Sequence, residues 1–248
     1  MRFPDEKTIL VENYIDEKGN QYIIFHTLFG RRINDALSRA FGYLLTKKLK
    51  KSVGLTISDN GFVISIPCEP LGKGWLDIVS LREKILKRET EKVDPKELVK
   101  LLRPENLSEI LRKALRQTEL IKRRFRHCAT RSLMILRNYK GYEIKVARQQ
   151  FNADRLLRVC EKFENFPVVE ETYREVMQDF MDVEHAKWLL EQVEKGRIKY
   201  EFLPESNVPS PFSHTLIALG ESDVVLMEDR KKLLLELHKK VMERVKHE

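Results

Sequence analysis

Arginine side chains recur in the middle of the chain at spacings that place them on one side of an α-helix. On a wheel that turns by about 100° per residue, five of them fall within about 40° of one line. These residues are Arg112, Arg116, Arg123, Arg126 and Arg137. Guanidinium groups pair bidentately with phosphates and displace condensed counterions from a nucleic acid. The spacing therefore predicts a phosphate-binding face on one long helix.

The same arginines have a second interpretation, in which they are solvated or pair with acids of this chain. Residues 161–185 contain eight Asp or Glu and only two basic residues. Acids of this segment could hold Arg131 and Arg137 by ion pairs. The candidate acids are Glu170, Glu171 and Asp179. Charge alone leaves both interpretations open.

Aromatic and further basic residues accompany the arginines. Lys140 extends the positive run. The nearby aromatic residues Tyr139, Tyr142 and Phe151 could stack on unpaired bases or lie in the core. Trp75, in the glycine-flanked sequence GKGWL, could pack on a base or ribose or be buried against the helices. The sequence thus suggests contacts to bases but does not require them.

No catalytic centre is predicted. A nucleotide-hydrolysing motor needs the sequence G-x-x-x-x-G-K-[ST], whose backbone amides bind phosphates, and this chain contains none. The sequence DVEH at 182–185 follows a helical pattern and has its glutamate in the wrong place for a motor box. The three cysteines, Cys68, Cys128 and Cys160, have neither metal-ligand nor disulfide spacing.

A metal-dependent nuclease is the enzymatic alternative. Asp229 and Lys231 have the carboxylate-x-lysine spacing of some such enzymes, and Asp223 lies nearby. Acids in the first turn of a helix also complement the helix dipole, which gives Asp229 a structural role as well. We therefore expect no metal site and keep the nuclease as an alternative.

The elements that must position these side chains predict an α+β fold. Residues 1–70 read as a small β-rich part with one helix, in which the second strand pair is joined by the turn Asp59-Asn60-Gly61. The expected strands are 9–15, 21–28, 53–58 and 62–67, and the helix spans about 33–49. A linker that becomes helical is expected at 71–94.

Residues 95–248 are expected to form a mainly helical part with a C-terminal strand pair and a final helix. Asp94 and Pro95 mark a helix start, because they suit the N-cap and the first helical position. The expected helices are 95–102, 106–138, 150–163, 168–180 and 183–195. The expected order after them is a loop-rich return at 199–213, the strands HTLIAL and DVVLM, and the helix EDRKKLLLELHKKVMERV.

The composition indicates a globular protein with a polyanionic partner. The 248 residues are 42% hydrophobic and 34% charged, with a net charge of +8 and a pI near 9.3. Twelve Lys or Arg and two Glu lie between residues 112 and 148, so the positive charge is concentrated there. No apolar run approaches the roughly 20 residues of a membrane helix, and we expect a cytoplasmic protein.

Five sequence blocks, in order, resemble the C-terminal, DEAD/H-associated region of the Lhr (large helicase-related) proteins, with the archaeal type nearer. The similarity runs from about residue 8 to the end of the chain. The blocks are HTLFGRRINDALSRAFGYLL, RQTELIKRRFRHCATRSLMILRNYKG, RQQFNADRLL, FPVVEETYREVMQDFMDV and SPFSHTLIALGESDVVLMEDR.

The resemblance implies that this region is part of a multidomain helicase. Members of that family are superfamily 2 helicases that couple ATP hydrolysis to 3′ to 5′ movement on single-stranded DNA and unwind duplexes, including RNA:DNA hybrids. DNA repair is their usual association. Two motor domains and a winged helix precede this region in the family and are absent from this sequence. ATP and Mg²⁺ are accordingly expected only for motor domains supplied in cis or in trans, and no cofactor is expected in this chain.

The resemblance also implies that this region lies beside the path of the nucleic acid. Arg148 and Gln149 therefore join the candidate contacts to single-stranded DNA or RNA. The first functional hypothesis is an accessory nucleic-acid-binding domain that positions the tracking strand. The second is a structural module that docks on the motor domains or on another protein.

Overall fold

Two antiparallel strand pairs form four of the five described strands of the main sheet, and one helix lies between the pairs in the sequence. The computed structural model describes residues 4–68 and 92–222, together with residues 238, 239 and 242. The first elements are β1 (Thr8–Ile15), β2 (Gln21–His26), α1 (Arg31–Leu49), β3 (Gly54–Ser58) and β4 (Gly61–Ile66). The predicted order of strand pair, helix and strand pair is confirmed, and the chain has the predicted α+β fold.

The rest of the described chain is mainly helical. Its helices are α2 (Pro95–Lys100), α3 (Pro104–Leu115), α4 (Glu119–Arg131), α5 (Val146–Cys160), α6 (Pro167–Glu175), α7 (Val183–Glu194) and α8 (His214–Ser222), and a π-helical turn, Val176–Phe180, extends α6. Its short strands are β5 (Asn138–Tyr139), β6 (Tyr142–Glu143) and β7 (Lys199–Phe202). The predicted helix start is confirmed, because the Asp94 carboxylate accepts a hydrogen bond from the Lys96 amide at 2.9 Å.

The main sheet has the strand order β3-β4-β2-β1-β7 within the described residues. All neighbours are antiparallel except β7, which runs parallel to β1. The prediction of a loop-rich return at 199–213 is wrong at its start, where β7 forms. A four-residue edge strand is too short to show a period in the sequence, so the apolar pattern did not reveal it. Division of the chain near residue 70 stays a prediction, although β7 shows that the later segment completes the sheet.

Helices cover both faces of this sheet. On one face the rings of Phe25 and Phe41 stack with centroids 5.3 Å apart, and those of Phe25 and Phe62 with centroids 4.6 Å apart. On the other face Leu216 and Ile217 of α8 are buried against β2 and β4. Because both faces are covered, polar residues of the strands can also be buried.

The predicted strand HTLIAL is wrong, because these residues form most of α8. A short apolar run fits a buried strand or a buried helix equally well, so periodicity cannot decide between them. Gly220 allows the close contact with β3, since a Cβ at this position would lie 2.4 Å from Thr56 Oγ1. The linker predicted at 71–94 lies mostly outside the described residues, as do the strand DVVLM and most of the final helix.

The single helix predicted at 106–138 is also wrong. Helix α3 ends at Leu115, and α4 begins after Thr118. The Thr118 hydroxyl accepts from the Ile121 amide at 3.5 Å, and its own amide donates to the Leu115 carbonyl at 2.9 Å. Thr118 therefore acts as an N-cap that separates two helices within one continuous apolar pattern.

Helix α4 ends seven residues before the predicted boundary, in a Schellman motif. The Met134 amide donates to the Ala129 carbonyl at 2.9 Å, and the Leu133 amide donates to the Thr130 carbonyl at 3.1 Å. Leu133 occupies the left-handed position, with φ of 58°, where glycine is usual. The end of α4 thus lacks its common sequence signal.

Candidate nucleic-acid interface

The break between α3 and α4 separates the arginines that were predicted to share one face. Arg112 of α3 forms a bidentate ion pair with Glu170 and lies over the Tyr173 ring, 4.3 Å from its centroid. Arg116 lies 3.6 Å from a carboxylate oxygen of Glu161. For these two arginines the structure therefore favours the second interpretation, pairing with the acidic segment.

A different group of arginines comes together at the other end of α4. Four guanidinium groups line a cavity of about 620 Å³, which we call the basic cleft. They belong to Arg124, Arg126, Arg131 and Arg137. Arg123, which was predicted to belong to the site, is exposed on α4 and is not among the residues that line the cleft. The positive surface is thus a concave site and not a straight stripe.

The hairpin β5–β6 positions Arg137 at the edge of the basic cleft. Its two-residue turn has positive φ at both positions, 50° at Lys140 and 83° at Gly141, as in a type I′ turn. The Ile144 amide donates to the Arg137 carbonyl at 2.8 Å, which closes the base of the hairpin. This hydrogen bond holds the backbone of Arg137, and it therefore fixes the position from which the Arg137 side chain extends into the cleft.

Gln149 supports the hairpin from below. Its side chain is buried, and its amide nitrogen donates to the Ile144 carbonyl at 2.6 Å. The contact between Gln149 and a nucleic acid stays a prediction, and the residue lines the basic cleft. Lys140 and Arg148 line a second depression of about 410 Å³ around the hairpin, together with Tyr139 and Tyr142.

A buried carboxylate holds two arginines of the cleft in place. Glu175, at the end of α6, is only 3% exposed. It accepts hydrogen bonds from Arg124, Arg131 and the Cys128 thiol. Arg124 also lies over the Phe180 ring, 5.0 Å from its centroid. Two guanidinium groups are therefore fixed before any ligand arrives.

Replacing Glu175 by Gln should lower the free energy of unfolding by about 1–3 kcal/mol, because the neutral amide has only one acceptor oxygen, so one arginine loses its hydrogen bond and the other loses its charged partner. Burial raises the pKa of Glu175, but hydrogen bonds from Arg131, Cys128 and Arg124 outweigh it and leave the pKa below its ordinary value. The stability that the Glu175 charge contributes is therefore present above the ordinary carboxyl pKa and is lost as the pH falls through the lowered pKa. Urea unfolding of the unchanged chain and of Glu175→Gln at a series of acid pH values measures this contribution.

The matched control for Glu175→Gln is Glu171→Gln, which removes an exposed ion pair with Arg174 from the same helix. We expect a smaller loss from this change, because exposed pairs are screened by water. A loss from Glu175→Gln that stayed constant at acid pH would contradict the role of its charge.

Arg126 and Arg137 differ from the paired arginines. Neither forms an ion pair with any residue that the structure describes. Arg126 Nη2 donates to His127 Nε2 at 3.2 Å, which requires a neutral imidazole. Burial, followed by the charges of the surrounding arginines with Arg126 first, lowers the pKa of His127 below its ordinary value. The charges that add to burial in lowering this pKa are those of the four arginines that line the cleft.

The charge balance leaves the basic cleft open to an anion. Glu143 is the acidic residue among those that line it, Glu175 lies behind two of the four arginines, and Asp179 lies 3.9 Å from Arg124. Guanidinium groups that are already oriented and only partly neutralised are suited to bidentate contacts with phosphate oxygens. Among the described residues, no group of three or more His, Cys, Asp or Glu could hold a metal ion.

The basic cleft lies within the part of the chain where the sequence predicted a site, but its lining differs in part from the predicted residues. Arg124 and Arg131 were not among the predicted contacts, since Arg124 leans toward the apolar side of an ideal helical wheel. The side chains of Tyr139, Tyr142 and Phe151 are exposed, so the alternative that they lie in the core is wrong. Trp75 and the nuclease candidates Asp223, Asp229 and Lys231 lie outside the described residues.

Known proteins resemble almost the whole chain. Residues 3–213 match the DEAD/H associated family. The ATP-dependent helicase Lhr-Core of Saccharolobus solfataricus is 43% identical over 243 residues, which are 98% of this chain and 26% of that protein. The ATP-dependent helicase Lhr-Core protein 2 of Thermococcus barophilus is 46% identical over 240 residues, which are 96% of this chain and 25% of that protein.

A solved structure has the same fold over most of the chain. It is that of Mycobacterium smegmatis helicase Lhr bound to ssDNA and AMP-PNP. The match has a TM-score of 0.67 and 26% sequence identity, and it covers 86% of this chain and 24% of the other. The present chain therefore spans about a quarter of the length of these relatives.

Proposed function

Because the chain belongs to the DEAD/H-associated family and is that region of an Lhr-type helicase, we propose that it binds single-stranded nucleic acid as an accessory domain. In this proposal the basic cleft holds successive phosphates of the tracking strand. The observation that carries it is a preformed cluster of four arginines, of which Arg126 and Arg137 have no acidic partner in the described part of the chain.

The proposed contact relies on two kinds of arginine. Arg124 and Arg131 are fixed by Glu175, so they give the site its shape and lose little side-chain entropy on binding. No acid of the described chain offsets the charges of Arg126 and Arg137, and these two arginines therefore provide most of the attraction for phosphate. The relative that was solved with ssDNA makes a single strand the first ligand to test.

Force and nucleotide hydrolysis are proposed to come from elsewhere in a longer assembly. The sequence has no G-x-x-x-x-G-K-[ST] loop, and the chain covers only about a quarter of relatives whose names include ATP-dependent helicase. ATP and Mg²⁺ would accordingly bind to motor domains.

The cytoplasm is the proposed compartment. The helices that the structure describes are all too short or too polar to cross a membrane.

Salt titration tests the phosphate contacts. The chain should bind a fluorescent oligo(dT) in fluorescence anisotropy, with an affinity that falls as the salt concentration rises. For two to four phosphate contacts, the slope of log K against log salt should be about −1.4 to −2.8. Absence of binding at low salt, or a slope near zero, would refute the proposed function.

A structural docking module remains the second candidate, because apolar side chains are exposed in the lining of the basic cleft and in the segment between α4 and β5. Leu133 is 82% exposed, Val146 58% and Leu136 51%. Exposed apolar groups that lie together often mark protein interfaces. A partner that bound this chain equally well at all salt concentrations, while oligo(dT) did not bind, would favour this candidate.

Phosphate binding should raise the pKa of His127. Burial and the neighbouring arginines lower this pKa in the free protein, and a phosphate among the arginines would offset their charge. The affinity for oligo(dT) should therefore rise as the pH falls through the pKa of His127 in the complex. Proton NMR of the imidazole, assigned with His127→Gln, measures the shift. An oligonucleotide with an uncharged methylphosphonate backbone should leave it unchanged, and an equal shift with that ligand would contradict the explanation.

A further inference from the structure

The hairpin β5–β6 exposes two tyrosine rings beside the basic cleft. Tyr142 is 80% exposed and Tyr139 is 57% exposed. The two residues are direct cross-strand partners, so their side chains leave the hairpin on the same face. Tyrosine rings usually bury much of their surface in a folded protein, and two adjacent exposed rings need an explanation.

We propose that these two tyrosines form a stacking platform for unpaired bases of the strand whose phosphates lie in the basic cleft. This inference rests on the proposed function and adds contacts with the bases of the same strand. The bases of a duplex are already stacked on each other, so an intact duplex cannot use the platform. The π-face of any base can stack on an aromatic ring, and the platform should therefore tolerate different sequences.

The platform is held in shape without a ligand. The type I′ turn at Lys140 and Gly141 fixes the hairpin tip, and the hydrogen bond from Ile144 to Arg137 closes its base. Lys140 Nζ lies 5.5 Å from the centroid of the Tyr139 ring. Because the hairpin is already ordered, a base that stacks on it does not have to order the backbone as well.

The platform and the basic cleft are parts of one continuous surface. Glu143 lines both the cleft and the depression of about 410 Å³ that contains the tyrosines. Asn138, the neighbour of Tyr139, lines the cleft, and Arg148 lines the depression. A strand with phosphates at Arg137 can therefore present its next base to the hairpin.

The charges around the rings favour a nucleic acid over a protein partner. Lys140, Lys145 and Arg148 surround the depression, where Glu143 is the acidic residue. Lysine is depleted at protein–protein interfaces, whereas cations next to aromatic rings are typical of sites for single strands. A protein partner is accordingly the outcome that the experiment must exclude.

The test compares Tyr142→Ala with the unchanged 248-residue chain on two ligands, oligo(dT) and an abasic oligonucleotide of the same length. Loss of one stacked base should weaken binding of oligo(dT) by about tenfold and leave its salt slope unchanged. Binding of the abasic oligonucleotide should change by less than about twofold, because it has no base to stack. Tyr142→Phe keeps the aromatic face and should bind both ligands like the unchanged chain.

Phe163→Ala is the matched control for loss of an exposed aromatic ring. Phe163 is 62% exposed and lies beyond the far end of α5, about 20 Å along the helix from the hairpin. Its removal should leave the affinity for oligo(dT) unchanged. An equal loss in Phe163→Ala and Tyr142→Ala would show that surface apolarity, and not the platform, controls binding.

The outcomes separate this inference from the proposed function. If the unchanged chain binds oligo(dT) with a steep salt slope but Tyr142→Ala binds equally well, the stacking platform is refuted and the phosphate contacts stand. If Tyr142→Ala weakens binding of the abasic oligonucleotide as much as that of oligo(dT), the tyrosine does not act on bases and the platform is again refuted. Absence of any oligo(dT) binding refutes both.

Discussion

Replacing Arg126 and Arg137 together by glutamine should reduce the affinity of the chain for oligo(dT) by more than a hundredfold. Each arginine is expected to make charge-assisted hydrogen bonds with phosphate, and two of them contribute about 3 kcal/mol or more. The slope of log K against log salt should become shallower by about 1.4. Fluorescence anisotropy at a series of salt concentrations measures both effects.

The control for this pair removes the same charge elsewhere. Arg112→Gln together with Arg116→Gln should weaken binding by no more than about threefold, because residual long-range attraction is screened by salt. Both of these arginines pair with acids of the chain, and neither is among the residues that line the basic cleft. Equal losses in the two double variants would show that total charge controls binding, and the basic cleft would lose its role as a site.

The first part of the fold was predictable because its signals are local. The turn Asp59-Asn60-Gly61 joins β3 to β4 as predicted, and Gly61 is required there because a Cβ would lie 2.2 Å from the Phe25 carbonyl oxygen. Helix α1 follows its apolar period closely, since one face packs against the sheet. In such segments one residue type at one position determines the local backbone.

The course of the chain around α4 was less predictable, because its two ends use weak or atypical signals. Thr118 caps the helix within an apolar pattern that continues on both sides. Leu133 takes a left-handed position that glycine would have marked. Apolar periodicity reports which side of a helix is buried, and it does not report a short break that preserves the phase.

The choice of which arginines remain available was not predictable from charge. Glu175 pairs with Arg124 and Arg131, which lie 51 and 44 residues earlier in the chain. Glu170 pairs with Arg112, which lies 58 residues earlier. A count of acids and bases predicts that pairs will form but not which ones. The packing of α6 against α4, and the contacts of Arg112 of α3 with Glu170 and Tyr173 of α6, decide which arginines are left to bind a ligand.

A buried polar network in the sheet was missed for a related reason. Glu12 of β1 would face solvent if only one face of the sheet were covered, yet it is 2% exposed. Helix α8 provides the second cover, and its residues had been predicted to form a strand. Because HTLIAL was predicted to be a strand and not a covering helix, the sequence did not indicate that Glu12, about 200 residues away, is buried.

Glu12→Ala should lower the free energy of unfolding by about 3–5 kcal/mol, because it leaves several buried polar groups without their partner. The carboxylate accepts from the Ser210 amide and the Ser210 hydroxyl, each at 2.7 Å, and its Oε2 lies 3.3 Å from His26 Nε2. The Ser213 hydroxyl lies 3.4 Å from the other carboxylate oxygen. Chemical denaturation with urea measures the loss.

The position of these serines predicts where the damage begins. The Ser210 and Ser213 carbonyls accept hydrogen bonds from the first turn of α8, so the network ties that helix to β1. Amide hydrogens of α8 should exchange faster in Glu12→Ala, while those of α4 keep their rates relative to global unfolding. Glu205→Gln, which removes an exposed pair with Lys92, should change stability only slightly. Equal losses from the two variants would refute the role of burial.

Acid should weaken the same network in the unchanged protein. Burial raises the pKa of Glu12, but hydrogen bonds from His26 and Ser210 outweigh it and leave the pKa below its ordinary value. The stabilisation is therefore present above the ordinary carboxyl pKa and disappears as the pH falls through the lowered one. The stability difference between the unchanged chain and Glu12→Ala should shrink over that range. A difference that grew on acidification would mean that Glu12 is buried as a neutral acid.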